Sequence, residues 1–376
     1  MKYFLWVLRI VVGVLFIFSG VVKANDPMGL VYKMDEFFEA LNMTFMMPWS
    51  FVFSLTMIAF EIVSGVAVLL GFSFRFFAAM LVLLNVVFTF ITSYALFTGK
   101  VKDCGCFGAC IKISSEATFY KDIALLLMAV VLFIYRRQVH GLFNRHVNTA
   151  ILILSIVFSA GIQWWDLEHL PFHDCMPYKV GYNLWERMQP SKDYKPAEIK
   201  SIFVYEKNGQ KKEFTVDNYP WQDSTWKFVE RKDKIISEAS GEPEIHDFIL
   251  TDTSGTDVTQ KLLTGKGYLL FWFIREFDKA DLSNLDKLKH LATRSAELHI
   301  PFYILCSADK ATAQTFLSTL GLGNVPFLTL DGTASKTAMR TNPGLMLLNN
   351  GVVMNKWSYR DYPAEMSLSG SQIDLH

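Results

Sequence analysis

The chain has 376 residues, 51% of them hydrophobic, and its 36 acidic and 36 basic residues leave no net charge at pH 7. This length exceeds what one hydrophobic core usually serves, so at least two structural units are expected. The balanced charge, without a basic patch interleaved with aromatic residues, argues against a nucleic-acid partner. The hydrophobic excess lies almost entirely before about residue 165. The composition therefore predicts an apolar N-terminal half followed by a soluble domain.

Five stretches of the N-terminal half approach the roughly 20 apolar residues that cross a bilayer as a helix. They are residues 3–22, 51–71, 76–98, 118–135 and 147–165. The fourth is the weakest, because Lys121 and Asp122 interrupt it near one end, and a buried helix is the alternative. The apolar region of the first is too long for a cleaved signal peptide, so we expect an uncleaved helix. The chain is predicted to be a multi-pass protein of the lipid bilayer.

An odd number of spans places the two termini on opposite sides of the membrane, and the distribution of Lys and Arg indicates which side is which. The numbers of Lys and Arg on the two sides do not by themselves determine the orientation. The cluster of Arg136, Arg137 and Arg145 after the fourth span favours a cytoplasmic N-terminus. We therefore expect a bacterial inner-membrane protein in which residues 98–117 and everything beyond residue 165 face the periplasm.

Four of the five cysteines then lie outside the cytoplasm and close to the membrane: Cys104, Cys106, Cys110 and Cys175. An even number of thiols in an oxidising compartment suits disulfide chemistry. The fifth, Cys306, lies in an apolar run typical of a buried strand. There we expect it to act as a small core side chain.

Several positions in the helices resemble the patterns of DoxX-like membrane proteins. They are Arg9, residues 16–20 (Phe-Ile-Phe-Ser-Gly), Lys23, Glu61, Gly65 and Gly71. More specifically, Cys-Gly-Cys-Phe-Gly at 104–108, followed by Lys121 and Asp122 at the opening of a helix, resembles the MauE branch. That branch is named for a protein needed to mature a disulfide-rich periplasmic methylamine dehydrogenase. The resemblance covers about residues 1–138 and implies a four-helix membrane domain with a redox or maturation role.

The loop around Cys104 and Cys106 has features of a reactive cysteine pair. Lysines 100, 102 and 112 favour the thiolate electrostatically, and Asp103 opposes them. A disulfide between Cys104 and Cys106 would close a very small ring, and such strain makes the bond labile. We therefore hypothesise that these two residues exchange disulfides, and that Cys110 and Cys175 form a second pair linking the loop to the soluble domain.

Other interpretations of these cysteines remain open. In the first interpretation, Cys110 or Cys175 makes an inert structural bridge. In the second, the three loop cysteines bind a soft metal ion such as Cu(I) or zinc. The absence of histidine from the loop disfavours this second interpretation, so we expect no metal. In the third, Gly105 and Gly108 only shape a tight turn. Four cysteines also allow three pairings, so the connectivity is not determined.

Glu61 lies in the middle of the second span, where a charged carboxylate is costly and usually has a partner. Arg9 and Lys23 on the first span are candidate partners, and Asn85 of the third span is expected to add a hydrogen bond between helices. Two interpretations follow. We favour a polar clasp that holds helices together; the alternative is a small pocket for a quinone headgroup or protons. No other cofactor is indicated.

Beyond the fifth span, residues 171–240 are predicted to form a β-rich spacer. Two runs of strand-forming residues, 202–205 and 214–216, flank an Asn-Gly pair at Asn208, which is typical of a β-hairpin. Residues 226–236 suggest a third strand. Apart from Cys175, this region contains no recognisable chemical motif.

From residue 241 onward the predicted order is strand, helix, strand, helix, strand, strand. Residues 245–273 and 342–351 resemble periplasmic thioredoxin-like proteins of the TlpA and peroxiredoxin sort. In that family a proline before the third strand is cis and faces the redox site, a role that Pro343 would inherit in holding a partner polypeptide. The C-x-x-C that should follow the first strand is missing, because residues 274–279 read Ile-Arg-Glu-Phe-Asp-Lys. The domain is therefore not expected to exchange disulfides itself.

These patterns divide the chain into a DoxX/MauE-like domain (1–138), a fifth span with its connector (139–170), the spacer (171–240) and a thioredoxin-like domain (241–376). Two function classes follow. The first is a membrane thiol-disulfide redox or maturation factor, a thiol-disulfide oxidoreductase if it is an enzyme, that acts on exported proteins or a periplasmic redox partner. The second is a non-enzymatic scaffold whose thioredoxin-like domain binds a partner. The cysteines favour the first class and the missing C-x-x-C favours the second.

Overall fold

The computed structural model describes residues 2–101, 105, 108, 110–111, 113–196, 198–221, 223–237, 240–369 and 372–375. Five helices of the N-terminal half are long and apolar enough to cross a membrane. They are α1 (Lys2–Ala24), α3 (Ser50–Leu70), α4 (Phe74–Thr98), α5 (Ser115–Ile134) and α6 (Arg145–Glu168). The five predicted spans are confirmed as helices, including the fourth, in which Lys121 and Asp122 lie in the first two turns.

A further helix, α2 (Pro27–Ala40), lies between the first two spans and is followed by a short 3-10 helix, Thr44–Trp49. Asp26 begins α2, because its Oδ1 accepts a hydrogen bond from the Gly29 amide at 3.0 Å and Pro27 occupies the first turn. The hydropathy pattern does not predict α2, since its mixed polarity is hidden between two strongly apolar runs.

The first two spans approach closely through glycines. A Cβ atom built on Gly65 would lie 2.7 Å from the carbonyl oxygen of Gly13, so neither position has room for a side chain. Small residues of this kind let transmembrane helices pack backbone to backbone. Helix α6 packs chiefly against α3 on the outside of this pair.

The face of α6 that packs inward is polar. The buried residues of α6, all of whose residues the structure describes, are Asn148, Ser155, Ser159, Gln163 and Asp166. After Arg145 and His146, its exposed positions are apolar, as at Leu154, which is 67% exposed. This helix therefore presents apolar side chains to lipid and polar ones to the bundle.

The spacer is a three-stranded antiparallel sheet in the order β2-β1-β3, preceded by the short helix α7 (Leu184–Arg187). Its strands are β1 (Glu198–Lys207), β2 (Gln210–Thr215) and β3 (Lys227–Ser237). Asn208 and Gly209 connect β1 to β2 with φ angles of 53° and 78°, as a tight hairpin turn requires. The predicted hairpin and third strand are confirmed.

The C-terminal domain is a mixed helix and sheet structure. Its helices are α8 (Thr259–Leu263), α9 (Leu285–Glu297), α10 (Lys310–Thr319) and α11 (Gly332–Ala338), and Phe277–Lys279 form a 3-10 turn. Its strands are β4 (Tyr268–Ile274), β5 (Phe302–Cys306), β6 (Phe327–Thr329), β7 (Gly344–Asn349), β8 (Val352–Ser358), β9 (Met366–Ser369) and β10 (Gln372–Leu375). The predicted succession appears as β4, α9, β5, α10, β7, β8, with β6 and α11 inserted before β7.

Five of these strands form one sheet in the order β6-β5-β4-β7-β8, while β9 and β10 form a separate hairpin. Strands β4, β5 and β6 run parallel, and β7 and β8 continue the sheet antiparallel. The central strand β4 is apolar on both sides, as expected when helices or loops cover both faces. Leu270, Trp272 and Ile274 join one hydrophobic cluster, and Phe271 and Phe273 join the other.

Cys306 lies at the end of β5, where 1% of its surface is exposed. Burial raises the pKa of its thiol to about 11, so the reactive thiolate is disfavoured at neutral pH. These observations agree with the predicted role of a small core side chain.

Candidate functional site

A cavity of about 640 Å³ lies where the membrane helices meet the C-terminal domain. Tyr32 of α2, Gly105 of the loop between α4 and α5, Cys175 of the connector after α6, and Lys336 of α11 contribute to its walls. This volume is typical of sites for small molecules or for a few side chains of a polypeptide. We call it the junction cavity.

A disulfide joins Cys110 to Cys175 beside the cavity, with Cα atoms 4.8 Å apart. It ties the loop between α4 and α5 to the connector after α6, 65 residues further along the chain. This is the pairing hypothesised from the sequence. In a chain-entropy account, closing a loop of this length stabilises the fold by about 2–4 kcal/mol.

Cys104 and Cys106 lie outside the described residues, but Gly105 between them lines the junction cavity. The φ angles of Gly105 and Gly108 are 65° and 60°, and the Gly108 amide donates to the Gly105 carbonyl oxygen at 3.0 Å. A Cβ atom on Gly105 would lie 3.1 Å from Cγ of Lys33. The two glycines therefore have turn conformations, and Gly105 lies against Lys33 of α2.

Lys23 and Glu61 form a buried ion pair between α1 and α3. The Lys23 Nζ lies 2.6 Å and 2.8 Å from the two carboxylate oxygens of Glu61, and the side chains are 3% and 1% exposed. Nζ also donates to Ser19 Oγ at 2.9 Å. Lys23 lines the junction cavity, whereas Glu61 is not among the described residues of its walls. The arrangement matches the predicted polar clasp, with Lys23 as the partner.

Arg9, the other candidate partner, lies elsewhere. Its Nε donates to the Val68 carbonyl oxygen at 2.6 Å and its Nη1 to that of His140 at 3.2 Å, while Nη2 also bonds the Leu69 carbonyl. Arg9 therefore caps the last carbonyl groups of α3. Asn85 donates to the Leu81 carbonyl oxygen at 2.8 Å, a bond within α4 rather than the expected bond between helices.

Arg275 occupies the position after β4 where a thioredoxin-like protein would carry its cysteines. Its amide donates to Asn342 Oδ1 at 3.1 Å, and its Nη1 donates to the Met339 carbonyl oxygen at 2.9 Å. Its Nη2 donates to the Tyr32 hydroxyl of α2 at 2.9 Å. The carboxyl end of the central strand β4 therefore faces α2.

The Asn342–Pro343 peptide bond is cis, and Pro343 is buried. The Asn342 amide group donates to the Glu276 carbonyl oxygen at 2.7 Å, which ties this turn to the end of β4. A partner polypeptide would have to displace neighbouring groups to reach Pro343. Its role in partner binding stays a prediction.

Asp26 and Tyr32 are site residues that sequence patterns do not reveal. Asp26 Oδ2 accepts from Arg340 Nη2 at 2.8 Å, and both side chains are 10% exposed. The Tyr32 ring centre lies 6.0 Å, 5.0 Å and 5.8 Å from the cationic groups of Arg275, Lys336 and Arg340. Burial raises the pKa of the Tyr32 phenol, although Arg275 and Arg340 act in the opposite direction. The one local signal that could have pointed to either is the Asp26-Pro27 pair, which is typical of a helix start.

The histidines near Cys175 do not form a metal site with it. His169 Nδ1 lies 2.7 Å from Asp361 Oδ1, the His173 amide donates to Asn25 Oδ1 at 2.9 Å, and the Cys175 sulfur is in the disulfide. In the part of the chain that the structure describes, no three His, Cys, Asp or Glu residues are grouped as metal ligands. That statement does not extend to Cys104 and Cys106.

Two family models match the chain. One, described as a domain of unknown function (DUF8463), matches residues 199–238, which cover the three-stranded spacer sheet. No curated protein matches the chain. The other, described as methylamine utilisation protein MauE, matches residues 1–135, from α1 to the end of α5. Over these residues the chain is similar to the MauE family, and the five apolar helices are long enough to cross a membrane.

Proposed function

We propose that this protein is a membrane thiol-disulfide redox or maturation factor that acts on exported proteins through Cys104 and Cys106. The match to the MauE family suggests an accessory or maturation role at the membrane. One observation carries the finer proposal: Gly105, between the two cysteines, and Cys175, half of the disulfide, line the same cavity. A polypeptide that enters there meets both.

The proposed chemistry is thiol-disulfide exchange. A thiolate of the Cys104/Cys106 pair attacks a disulfide of the partner protein, one partner thiolate leaves, and a mixed disulfide forms. The second thiolate of the pair then attacks this bond and releases the partner as a dithiol. Two electrons and two protons pass from the pair to the partner, and the reverse steps oxidise a partner dithiol. In this proposal the Cys110–Cys175 disulfide relays the same equivalents.

A periplasmic location of this site is part of the proposal. Disulfides persist in oxidising compartments, so the Cys110–Cys175 bond supports an extracytoplasmic loop and connector. Since Cys110 precedes α5 and Cys175 follows α6, this is also the side on which the C-terminal domain lies. The N-terminus would then be cytoplasmic, in the inner membrane.

We also assign the C-terminal domain to the thioredoxin-like class and the membrane domain to the DoxX-like group. The sheet order supports the first assignment, because β4 and β5 are parallel with α9 between them and β7 and β8 complete the sheet antiparallel. Without C-x-x-C this domain supplies no thiol pair. A quinone pocket at Glu61 is not part of the proposal, since Lys23 binds both carboxylate oxygens.

A mixed-disulfide trap tests the function. Full-length protein carrying Cys106→Ala should retain exported proteins bound through Cys104, and a reductant should release them. Cys306→Ala is the matched control, because that thiol is buried and its loss should leave capture unchanged. The double variant Cys104→Ala/Cys106→Ala should capture nothing.

A non-enzymatic scaffold is the second candidate function. It is favoured by Arg275, which takes the place of a redox cysteine and hydrogen-bonds to α2. Alkylation of the native protein in graded redox buffers separates the two candidates. If Cys104 and Cys106 stay alkylatable in every buffer and the trap captures nothing, the exchange proposal is wrong and the scaffold is supported.

A further inference from the structure

The C-terminal domain covers one side of the junction cavity. Thr333, Lys336, Thr337 and Arg340, on and just after α11, line the cavity from this side. From the opposite side the walls come from α2 and from Gly105 and Gly108. Access to Gly105 and Gly108 from the cavity therefore depends on how firmly the C-terminal domain is held against α2.

Two groups of contacts hold it. The first lies near the chain connection, where Glu168 bonds the Tyr359 hydroxyl at 2.7 Å and Asp174 bonds Lys356 at 2.7 Å. Cys175, one end of the disulfide, lies in this same connector. Glu168 and Asp174 lie at or just after the end of α6, so their contacts remain close to the chain connection when the rest of the domain moves.

The second group is far away in sequence. Tyr32 and Arg275 are 243 residues apart, and Asp26 and Arg340 are 314 residues apart. Arg340 bonds Asp26 Oδ2 through Nη2 and also through Nε at 3.1 Å, a two-pronged contact that fixes geometry as well as charge. The Tyr32 ring adds an aromatic face among three cations.

We propose that Asp26 and Tyr32 form a latch that holds the C-terminal domain as a lid over the junction cavity, with the connector after α6 as its hinge side. The latch closes when Arg275 binds Tyr32 and Arg340 binds Asp26, and it restricts the entry of polypeptides to the junction cavity. The identity of what enters rests on the proposed function, but the latch and lid do not.

The charges explain why this contact is specific. The lid presents three cations, Arg275, Lys336 and Arg340, to the Tyr32 ring, and Arg340 also pairs with the Asp26 carboxylate at the start of α2. Arg275 is held in place by the Met339 carbonyl, so it needs little rearrangement to meet the Tyr32 hydroxyl. Because the Asp26–Arg340 pair is largely shielded from water, removing one charge leaves the other poorly solvated.

Access to the cavity can be measured without the native redox pair. In a Cys104→Ala/Cys106→Ala background, Asp35→Cys places a reporter thiol on α2, since Asp35 lines the cavity and is half-buried. The protein is reconstituted in lipid nanodiscs with the Cys110–Cys175 disulfide intact. Labelling rates are compared for N-ethylmaleimide, which is small, and for a polyethylene-glycol maleimide, which is as bulky as a polypeptide.

We expect Arg340→Asp, which removes a shielded charge pair, and Tyr32→Ala, which removes the hydrogen bond with Arg275, to speed labelling by the bulky reagent at least about tenfold. N-ethylmaleimide should respond far less. Asp26→Asn should act in the same direction while keeping the helix cap, since Asn caps as well as Asp. Tyr120→Ala is the control, because Tyr120 is 68% exposed on the membrane domain, and it should change nothing.

The charge-swapped double variant Asp26→Arg/Arg340→Asp should recover slow labelling by the bulky reagent relative to Arg340→Asp alone. This rescue identifies a direct contact and separates it from general damage to the fold. The proposal is overturned if the bulky reagent labels the protein with the unaltered latch and every variant that keeps the native melting temperature at the same rate. This outcome is independent of the mixed-disulfide trap, because the reporter background lacks Cys104 and Cys106.

Discussion

The buried face of α6 and the buried faces of the central strand β4 are built in opposite ways. In α6 the buried residues are polar and, after His146, the exposed ones are apolar, whereas β4 buries Leu, Phe, Trp and Ile on both of its faces. For the sheet, removal of apolar surface from water drives its association with the helices that cover it. Lipid removes this driving force between transmembrane helices, so polar contacts and close packing decide which helices meet.

This difference also determines which substitutions should lower the stability of each region most. The membrane interior contains an ion pair, Lys23 with Glu61, and polar atoms such as Gln163 Oε1 and Asp166 Oδ2 that have no hydrogen-bond partner among the described residues. The sheet interior depends on shape and volume, as close-packed apolar cores do. Substitutions that leave a charge without its partner should therefore damage the first region, and cavities should damage the second.

The largest effect is expected for Lys23→Met. It leaves the Glu61 carboxylate buried without its partner, which should cost about 3–5 kcal/mol of unfolding free energy. Thermal unfolding of the purified protein in detergent measures it. The double variant Lys23→Met/Glu61→Leu should recover most of the loss, and a double variant as unstable as the single one would contradict the clasp.

In the sheet, Leu305→Ala should cost about 2–5 kcal/mol, because Leu305 is fully buried in β5 and truncation leaves a cavity. Denaturant unfolding followed by tryptophan fluorescence reports this loss. The matched control is Leu368→Ala, since Leu368 is 43% exposed. Equal losses at both positions would show that volume does not set the stability of this core.

Removing the disulfide should have a somewhat smaller effect. Cys110→Ala/Cys175→Ala is expected to lower the unfolding free energy by about 2–4 kcal/mol, chiefly by freeing the unfolded chain. Comparing melting temperatures with and without reductant checks it, because reductant should destabilise the native protein and leave the double variant unchanged. A native protein that is indifferent to reductant would argue against a structural contribution of this bond.

Asp331 is the N-cap of α11, and Asp331→Ala should cost about 0.5–2 kcal/mol of stability at neutral pH. The amide of Thr333 donates to its carboxylate and holds its pKa below the usual value. A depressed folded-state pKa means that the stabilisation is full above about pH 4 and is lost as the pH falls through the folded pKa. Asp331→Ala should therefore differ from the native protein at pH 7 and converge with it in acid.

The smallest effect should come from Gln163→Leu in α6. Gln163 donates to the carbonyl oxygen and the hydroxyl of Ser159 at 3.0 Å each. Hydrogen bonds within membranes average about 0.6 kcal/mol, and loss of the unpaired Oε1 offsets part of that. A change above about 2 kcal/mol in detergent unfolding would show that the polar face of α6 contributes more than such bonds explain.

Much of the fold follows from local patterns. The spans were predictable because a bilayer demands long apolar runs, and the hairpin because Asn208 and Gly209 allow positive φ angles. The partner of Glu61 was predictable in kind, since a carboxylate in lipid needs a cation. The choice of Lys23 over Arg9 was not, because it depends on the depth at which each side chain meets α3. Helix α2 was missed because its pattern is amphipathic and short.

By itself, the sequence determined five apolar helices, a cysteine-rich loop, and a C-terminal α/β domain without C-x-x-C, because these depend on composition and short-range order. The tertiary structure decided that Cys110 pairs with Cys175 rather than with another cysteine. It also decided that Tyr32 and Asp26 meet Arg275 and Arg340 across more than 240 residues of chain. No periodicity encodes such contacts. They exist because the connector after α6 returns the domain to the membrane surface, where α2 presents the only aromatic ring found among those three cations within the described residues.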